Sequence, residues 1–430
     1  MVNILGIETS CDETGVAIIQ GPSAKAQVSS EKIKNLSNLS NPANVVNRDR
    51  NIDFDFEILA EGLASSVDLQ KEYGGVVPEL ASRVHVEKIN LLLAKCLKQA
   101  NLDWEDIDAI AVANGPGLVG SLLVGTMVAK TLGMVLGKPL IAVNHLEGHI
   151  CSAFLEEKKQ GIEVSSKNVA NVTNLSKITN EDRDTFPMLV LIVSGGHTEL
   201  LIMKDFGEYE MLGSTVDDAS GEAFDKAAKI LGLEYPGGPS ISRRAAEYRC
   251  QVLGTRFQGD NCGETQNGEM NDENNYKLPR PMIDSDDYNF SFSGLKTALL
   301  YKWKKLQVSN VKDSVSNRGG VTPPVRDDLV NRMAWEFQEA VVDVLVTKTV
   351  KAAEKFKINK VAIVGGVAAN GRLREEMEIR LDKIGRQLIV PPNKYCTDNG
   401  AKIAVAGYFK YLKNDFTDWK KLEVNSNWEL

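Results

Sequence analysis

The chain has little of what the commonest metal and redox chemistries use. Its 430 residues include six cysteines, Cys11, Cys96, Cys151, Cys250, Cys262 and Cys396, scattered with no Cys-x-x-Cys pair. That spacing argues against a thiolate zinc site or a disulfide framework and fits a reducing compartment. Histidine is scarcer still, at four residues. Basic charge is in deficit: 50 Lys and Arg against 58 Asp and Glu leave a formal charge of −8. A chain with that balance meets nucleic acid only through a local basic patch or a helper subunit, because phosphate contacts dominate such affinity. The most apolar stretch, "LVGSLLVGTMVAKTLGMVLGKPLIAV" from Leu118, is broken by Lys130, Lys138, Pro139 and glycines. It reads as a buried helix followed by a strand, not a membrane span. The opening "MVNILGIETS" is already strand-like, so no signal or transit peptide is expected, and the protein is expected to be soluble and intracellular.

What is present is an α/β alternation. At this length one compact core is too small, and two domains are expected. "NILGIET" and "TGVAIIQ" read as two strands joined by a polar turn, and "DAIAVANGPG" as a strand entering a glycine turn before a helix. "PLIAVNH" is a further strand; "MLVLIVSGGHTELLIM" is two strands around a Ser-Gly-Gly-His turn; "KVAIVGGVAANGRLREEMEIRL" is strand, glycine turn and helix. Four stretches, 22–55, 156–186, 258–287 and 307–325, are rich in Asn, Ser, Asp and Glu and poor in large apolar residues. They read as surface insertions that bury too little to offset their ordering entropy.

Two of the histidines fall in "VNHLEGHICSAF", as His145 and His149. A spacing of four puts them on one face of a helix, within reach of one cation. The residues alone leave a metal pair and simple packing both open. A zincin protease carries its general-base Glu directly after the first His. Here Leu146 holds that position and Glu147 lies about 100° further round the helix, so a metalloprotease is disfavoured.

Three strand-turn elements share one physical logic, "GIETSCDETG", "IVSGGHTEL" and "IVGGVAANGRLRE". A glycine turn exposes backbone N–H groups and cradles an anion, above all beside a helix N-terminus. Two hairpin turns in separate halves plus a strand-Gly-Gly-helix turn resemble the arrangement of the actin, sugar kinase and Hsp70 superfamily. That resemblance implies a two-lobed, ribonuclease H-like α/β fold with a nucleotide cleft between the lobes. The expected division is 1–150 for the first lobe, completed by a C-terminal helix within 400–430, and 151–399 for the second.

The likeness narrows at "GIETSCDETG", "YGGVVPELASRVH", "NGPGLVGSLLVG", "NHLEGHI", "LIVSGGHTEL", "DDASGEAFDKAAKILGLEYPGGP", "FSFSGLKTAL", "VGGVAANGRLR" and "CTDNGAKIA". These blocks cover most of the chain outside the insertions. Together they resemble the tRNA N6-adenosine threonylcarbamoyltransferase family, once named a glycoprotease, in its bacterial or mitochondrial branch. The resemblance implies transfer of threonylcarbamoyl from threonylcarbamoyl-AMP to N6 of adenosine 37, 3′ of the anticodon, in tRNAs reading ANN codons, with release of AMP. It implies one divalent metal, iron(II) by preference or zinc, on His145, His149 and Asp398, although Asp398 alone reads equally as a helix cap. It implies substrate contacts at Ile192, Val193, Ser194, Gly195, Gly196, Asp225, Gly238 and Asn370, a further contact at His197, and a cleft that can also take an ATP- or ADP-like nucleotide. On their own, Asp225 reads as a first-turn helix acid, Gly238 as a turn and Asn370 as an N-cap. Asp12 and Glu13 sit where the first hairpin faces the phosphates; one of them is the candidate catalytic proton acceptor or tRNA-positioning group, against a plain reading as solvated turn acids. His85 reads as structural.

The implied partners are tRNA, a smaller paralogous subunit of the same fold and a P-loop ATPase in the bacterial branch, or a homodimer in the mitochondrial one. The expected compartment is the bacterial cytoplasm, with the mitochondrial matrix as the alternative. Lys296, Lys302, Lys304, Lys305, Arg243 and Arg244 are candidate tRNA contacts and equally a solvated face. The competing activities are a small-molecule kinase and a non-catalytic assembly subunit of the same fold. A kinase would not need the histidine pair beside Asp398, and an assembly subunit is expected to have lost it.

Overall fold

The computed structural model describes residues 1–23, 56–156, 186–253, 257–258, 261–262, 276–315 and 327–430. The first five strands are β1 (Val2–Glu8), β2 (Glu13–Gly21), β3 (Glu57–Ser65), β4 (Ala109–Gly115) and β5 (Leu140–Asn144). They form one sheet in the order β3-β2-β1-β4-β5, an antiparallel meander continued by two strands parallel to β1. The later strands are β6 (Met188–Val193), β7 (Thr198–Asp205), β8 (Glu208–Ser214), the short pair β9 (Phe257–Gln258) and β10 (Asn261–Cys262), then β11 (Lys360–Val364) and β12 (Gln387–Ile389). The second large sheet runs β12-β11-β6-β7-β8, with β6, β7 and β8 antiparallel and β11 and β12 parallel to β6. Read outward from its meander it repeats the first sheet, so the molecule is two lobes of one pattern. β3, the edge of the first meander, was not read from the sequence.

The helices are α1 (Val67–Gln70), α2 (Pro78–Ala100), α3 (Val119–Leu136), α4 (His145–Cys151), α5 (Ser220–Leu231), α6 (Gly237–Leu253), α7 (Ser293–Val315), α8 (Asp327–Lys355), α9 (Gly371–Lys383), α10 (Asn393–Cys396) and α11 (Gly400–Leu412). β1 shows why its segment is a near-continuous apolar run. Leu5 and Ile7 face a core with Ile89 and Leu93 of α2 and Ala129 of α3, whereas Val2 and Ile4 face Ala404 and Tyr408 of α11. A central strand covered on both faces has no polar alternation. α2 starts with proline at its first position and stops at Asn101, whose φ of 52° is left-handed, as helix ends favour.

The core between the two sheets joins the lobes. Ile4, Ala111 and Val143 from the first sheet, and Val190, Ile192 and Val364 from the second, pack around Leu146 and Ile150 of α4 and Ala404 and Tyr408 of α11. α11 lies on β1, β2 and β4, so the first lobe is built from both ends of the chain. A third core, on the far side of the second sheet, takes Leu189, Leu191 and Val193 with Phe224, Phe337 and Leu345.

Four expectations are revised. α3 is buried on one side only: Ser121, Leu122, Gly125, Thr126, Ala129 and Gly133 pack inward, while Val119, Leu123, Met127, Met134 and Val135 are exposed. Within the expected insertion 258–287, residues 276–287 are packed. Arg280 pairs with Glu336 and Asp343, and the Lys348 amine donates to the Ser285 hydroxyl and the Asp287 carbonyl. α7 carries helix through residue 315 of the expected insertion 307–325. Cys250 is disulfide-bonded, although the scattered spacing argued against a disulfide framework and for a reducing compartment; Cys11, Cys96, Cys151 and Cys396 are free. Apart from their ends, the expected insertions 22–55 and 156–186 lie outside the described residues.

Candidate metal centre and substrate cleft

α4 begins directly where β5 ends. Asn144 caps it, its side-chain oxygen accepting from the Leu146 N–H at 2.8 Å. The Asn144 amide also donates to the carbonyls of Trp428 and Glu429 in the C-terminal tail. This short, tethered helix brings His145 and His149 together edge to face, with ring centroids 4.6 Å apart. Asp398 arrives from the other side, in the link between α10 and α11. Asn399, not Asp398, caps α11 by accepting from the Lys402 N–H at 3.0 Å, which frees the Asp398 carboxylate. Its Oδ1 lies 3.4 Å from His145 Nε2 and 3.3 Å from His149 Nε2. One ligand atom from each of the three residues falls within 4.8 Å of the others.

Two residues the sequence reading missed complete the cluster. Glu8, the last residue of β1 and fully buried, sets Oε2 at 2.8 Å from His145 Nδ1, and its Oε1 accepts from the Ser10 N–H at 2.7 Å. A carboxylate on Nδ1 fixes the ring and leaves Nε2 as the free donor atom, the usual support of a metal-bound histidine. Burial would raise the Glu8 carboxyl, but His145 and Lys402 hold it below the ordinary value. Lys402 of α11 is also fully buried; its ammonium lies 2.5 Å from Asp398 Oδ1 and 3.7 Å from Glu8 Oε2. Burial works against the Asp398 charge, yet Lys402 and His145 keep it well below the usual carboxylate range. His149 is driven the other way, to about 3, by burial and then by Lys402. Its contact with Asp398 is therefore neutral imidazole against carboxylate, and neutral imidazole is the form that binds a metal. Two imidazoles and a carboxylate, one ring oriented by a buried acid, fit a borderline divalent ion such as iron(II) or zinc.

The second lobe supplies the turn at 194–197. The Ser194 hydroxyl accepts from the His197 N–H at 3.1 Å, and the Ser194 N–H donates to the His197 carbonyl at 2.8 Å. Gly195 and Gly196 are exposed, with open space where a Cβ would stand. The N-terminus of α5 abuts the turn, the Gly221 N–H donating to the Ser194 carbonyl at 3.1 Å; helix starts of this kind favour anions. His197 is held down to about 4 by burial and then by the charge of His145, with Asp398 opposing. The charges of His145, Asp398 and Lys402 are thus felt at His197. Ile192 and Val193 are ladder residues with buried side chains, so only their backbone can meet a ligand.

Asp225 of α5 accepts from the Gly237 N–H at 2.7 Å, and Gly238 follows at the open start of α6. Burial, then Asp12 and Glu222, push the Asp225 carboxyl up to about 6 against the pull of that hydrogen bond. A carboxyl raised on folding binds its proton more tightly in the native state, so the stability it costs appears as pH rises from about 4 to about 6. Asp225→Asn should therefore raise the melting temperature at pH 8, by a free energy of about 1–3 kcal/mol, and change little at pH 4. Thermal melts of both proteins at the two pH values check this. Asn370 caps α9 by accepting from the Leu373 N–H at 3.0 Å, and its amide donates to Ser242 and Gln338. Both amide hydrogens are thus engaged, and its oxygen keeps one lone pair.

On the first hairpin Asp12 is 8% exposed and Glu13 half-buried, so neither is a solvated turn acid. Burial, Asp12 and Asp398 raise the Glu13 carboxyl well above the ordinary value, so it favours its protonated form. His85 of α2 holds this turn: its Nδ1 lies 2.8 Å from the Thr14 hydroxyl and its Nε2 3.1 Å from the Cys11 carbonyl. A carbonyl can only accept, so Nε2 carries the proton and Nδ1 accepts from Thr14. Of the candidate basic contacts, Arg244 is engaged with Glu247, Asn331 and Asp327, and the Lys302 amine donates to the Lys277 carbonyl.

The family model described as tRNA N6-adenosine threonylcarbamoyltransferase matches residues 57–173 and 162–405. A protein of that name from Francisella tularensis subsp. novicida (strain U112) is 39% identical over 422 residues, covering 98% of this chain and 97% of its own. One from Thermosipho africanus (strain TCF52B) is 39% identical over 415 residues, covering 96% of each. Among solved structures, the activator of the 2-hydroxyisocaproyl-CoA dehydratase from Clostridium difficile with bound ADPNP aligns over 96% of this chain and 97% of its own, with 14% identity and a TM-score of 0.41.

Proposed function

The chain belongs to the tRNA N6-adenosine threonylcarbamoyltransferase family, a family of tRNA-modifying transferases, and from that premise we propose how its cleft performs the transfer. The donor is threonylcarbamoyl-AMP and the acceptor is N6 of adenosine 37, 3′ of the anticodon, in tRNAs reading ANN codons. The observation that carries this reading is the meeting of His145, His149 and Asp398, backed by Glu8. A divalent ion held there, iron(II) by preference or zinc, would supply Lewis acidity and a template for the threonylcarbamoyl end.

The chain's own residues do the rest. Gly195 and Gly196 present backbone N–H groups to the phosphate and carbamoyl oxygens, with the α5 N-terminus behind them. Asp225 and the open backbone at Gly238 take the ribose, in a pocket that Asn370 braces. N6 of adenosine is a weak nucleophile, so the rate comes from holding amine and carbonyl together and from stabilising charge on the leaving phosphate. The bond from N6 to the carbamoyl carbon forms as the carbon–oxygen bond to the phosphate breaks. AMP leaves with that electron pair, and the amine proton passes to a carboxylate. Asp12 is the acceptor in this reading; Glu13, favouring its protonated form, is suited to donate a hydrogen bond.

With a chain charge of −8, tRNA binding calls for shared basic surface. The exposed apolar face of α3 offers a place for a smaller subunit of the same fold to dock, with a P-loop ATPase completing a bacterial, cytoplasmic assembly. The test is transfer of labelled threonine from threonylcarbamoyl-adenylate to unmodified tRNA, with and without those partners. Labelled tRNA and AMP should appear in equal amounts. A Leu123→Asp/Met127→Asp variant should lose the gain that the smaller subunit brings while melting like the parent. Inactivity with every partner present would contradict the reading.

A further inference from the structure

Two of the three ligands of the proposed metal centre, Asp398 and His149, already have a cation beside them. The Lys402 ammonium lies 2.5 Å from Asp398 Oδ1 and 3.3 and 3.4 Å from the two ring nitrogens of His149, with no exposure to solvent. A fully buried lysine between one fully buried acid, Glu8, and one partly buried acid, Asp398, is not there for packing. Taking an ammonium out of water is costly unless fixed negative charge answers it, and two buried carboxylates that share a site repel unless a cation separates them.

We propose that Lys402 is a resident cation of the metal centre: it keeps Asp398 and the histidine pair assembled without an ion, and competes with the ion for Asp398. This rests on the metal reading given above and goes beyond it, because it makes Lys402 the residue that sets how tightly the metal is held. A divalent ion on Asp398 is repelled by an ammonium at this range, and the low dielectric of a buried site strengthens that repulsion. The ammonium has one alternative partner in the cluster. Glu8 Oε2, 3.7 Å away, is the oxygen that also holds His145 Nδ1. When Asp398 turns to the metal, Lys402 stays paired through the acid that orients the first ligand. The centre therefore exchanges its ion more readily than the same three ligands would without Lys402.

The test uses the full chain and its Lys402→Met variant, whose side chain is unbranched, one atom shorter and uncharged. Zinc and, under anaerobic conditions, iron(II) are titrated in competition with a chromogenic chelator, and both proteins are melted after metal stripping and after loading. The variant should bind the ion at least tenfold more tightly. Its stripped form should melt below the stripped parent, and loading should recover more of that loss than it gives the parent. Equal or weaker affinity in the variant, with stripped proteins melting alike, would overturn the proposal. Parent protein that takes up no ion lost on His145→Ala/His149→Ala removes the metal reading itself and this proposal with it. If Lys402→Met does not fold, Lys402→Gln is measured against the same expectations.

Discussion

His145→Ala/His149→Ala should lose its bound metal and lower threonylcarbamoyl transfer at least 100-fold, with the loss in kcat rather than in affinity for tRNA. Two of the three proposed ligand side chains disappear, and Asp398 alone, already paired with Lys402, cannot hold an ion. A hundredfold loss corresponds to about 2.7 kcal/mol of transition-state stabilisation, modest for a Lewis acid at the reacting group. The informative control is His85→Ala. His85 is equally buried, but its ring binds Thr14 and the Cys11 carbonyl, so its loss disturbs the Asp12–Glu13 turn and leaves metal content unchanged. Metal analysis beside single-turnover transfer separates the two. A double variant that keeps full activity without metal would make the histidine pair structural.

Gly400→Ala should destabilise the protein by about 3 kcal/mol and weaken metal binding as well. α11 crosses β1 and β2 at backbone contact. A Cβ on Gly400 would stand 2.5 Å from the Ala17 nitrogen and the Val16 carbonyl carbon, and one on Gly6 would stand 2.3 Å from the Gly400 oxygen. Backbone cannot yield as a side-chain tip can, so the helix must lift, and overpacking on this scale costs about 1–3 kcal/mol or more. Asp398 lies two residues before Gly400 and Lys402 two after, so lifting the helix pulls both away from the histidines on α4. Gly294→Ala, at an exposed helix position with open space around the added carbon, should be neutral or slightly stabilising. Denaturant melts and metal titration of the two variants check the contrast. Equal stabilities would mean that the crossing is looser than its spacing.

The alternation of strands and helices was legible because β1, β4, β6 and β11 are short apolar runs ending in glycine turns, and because α4 starts at the residue after β5. The histidine pair was visible from its spacing, whereas Asp398 was reached only through the family resemblance; as a lone Asp before a helix it reads as a cap, and Asn399 takes that role instead. Glu8 was hidden because the last residue of a buried strand carries no sign of what faces it. Lys402 had a readable signal: a single lysine inside "NGAKIAVAGYF", four residues from Asp398, interrupts an apolar helix. The one-sided burial of α3 was obscured by composition, since its exposed Val119, Leu123 and Met127 are as apolar as its buried face. The order in 276–287 comes from partners on α8, Glu336, Asp343 and Lys348, which no local pattern announces.

X-ray absorption at the metal edge of the loaded protein, recorded before and after adding threonylcarbamoyl-adenylate, tests the central claim most directly. Two imidazole nitrogens and one carboxylate oxygen are expected around the ion, with a spectrum that changes when the donor arrives. A coordination shell without imidazole, or a spectrum indifferent to the donor, would contradict that claim.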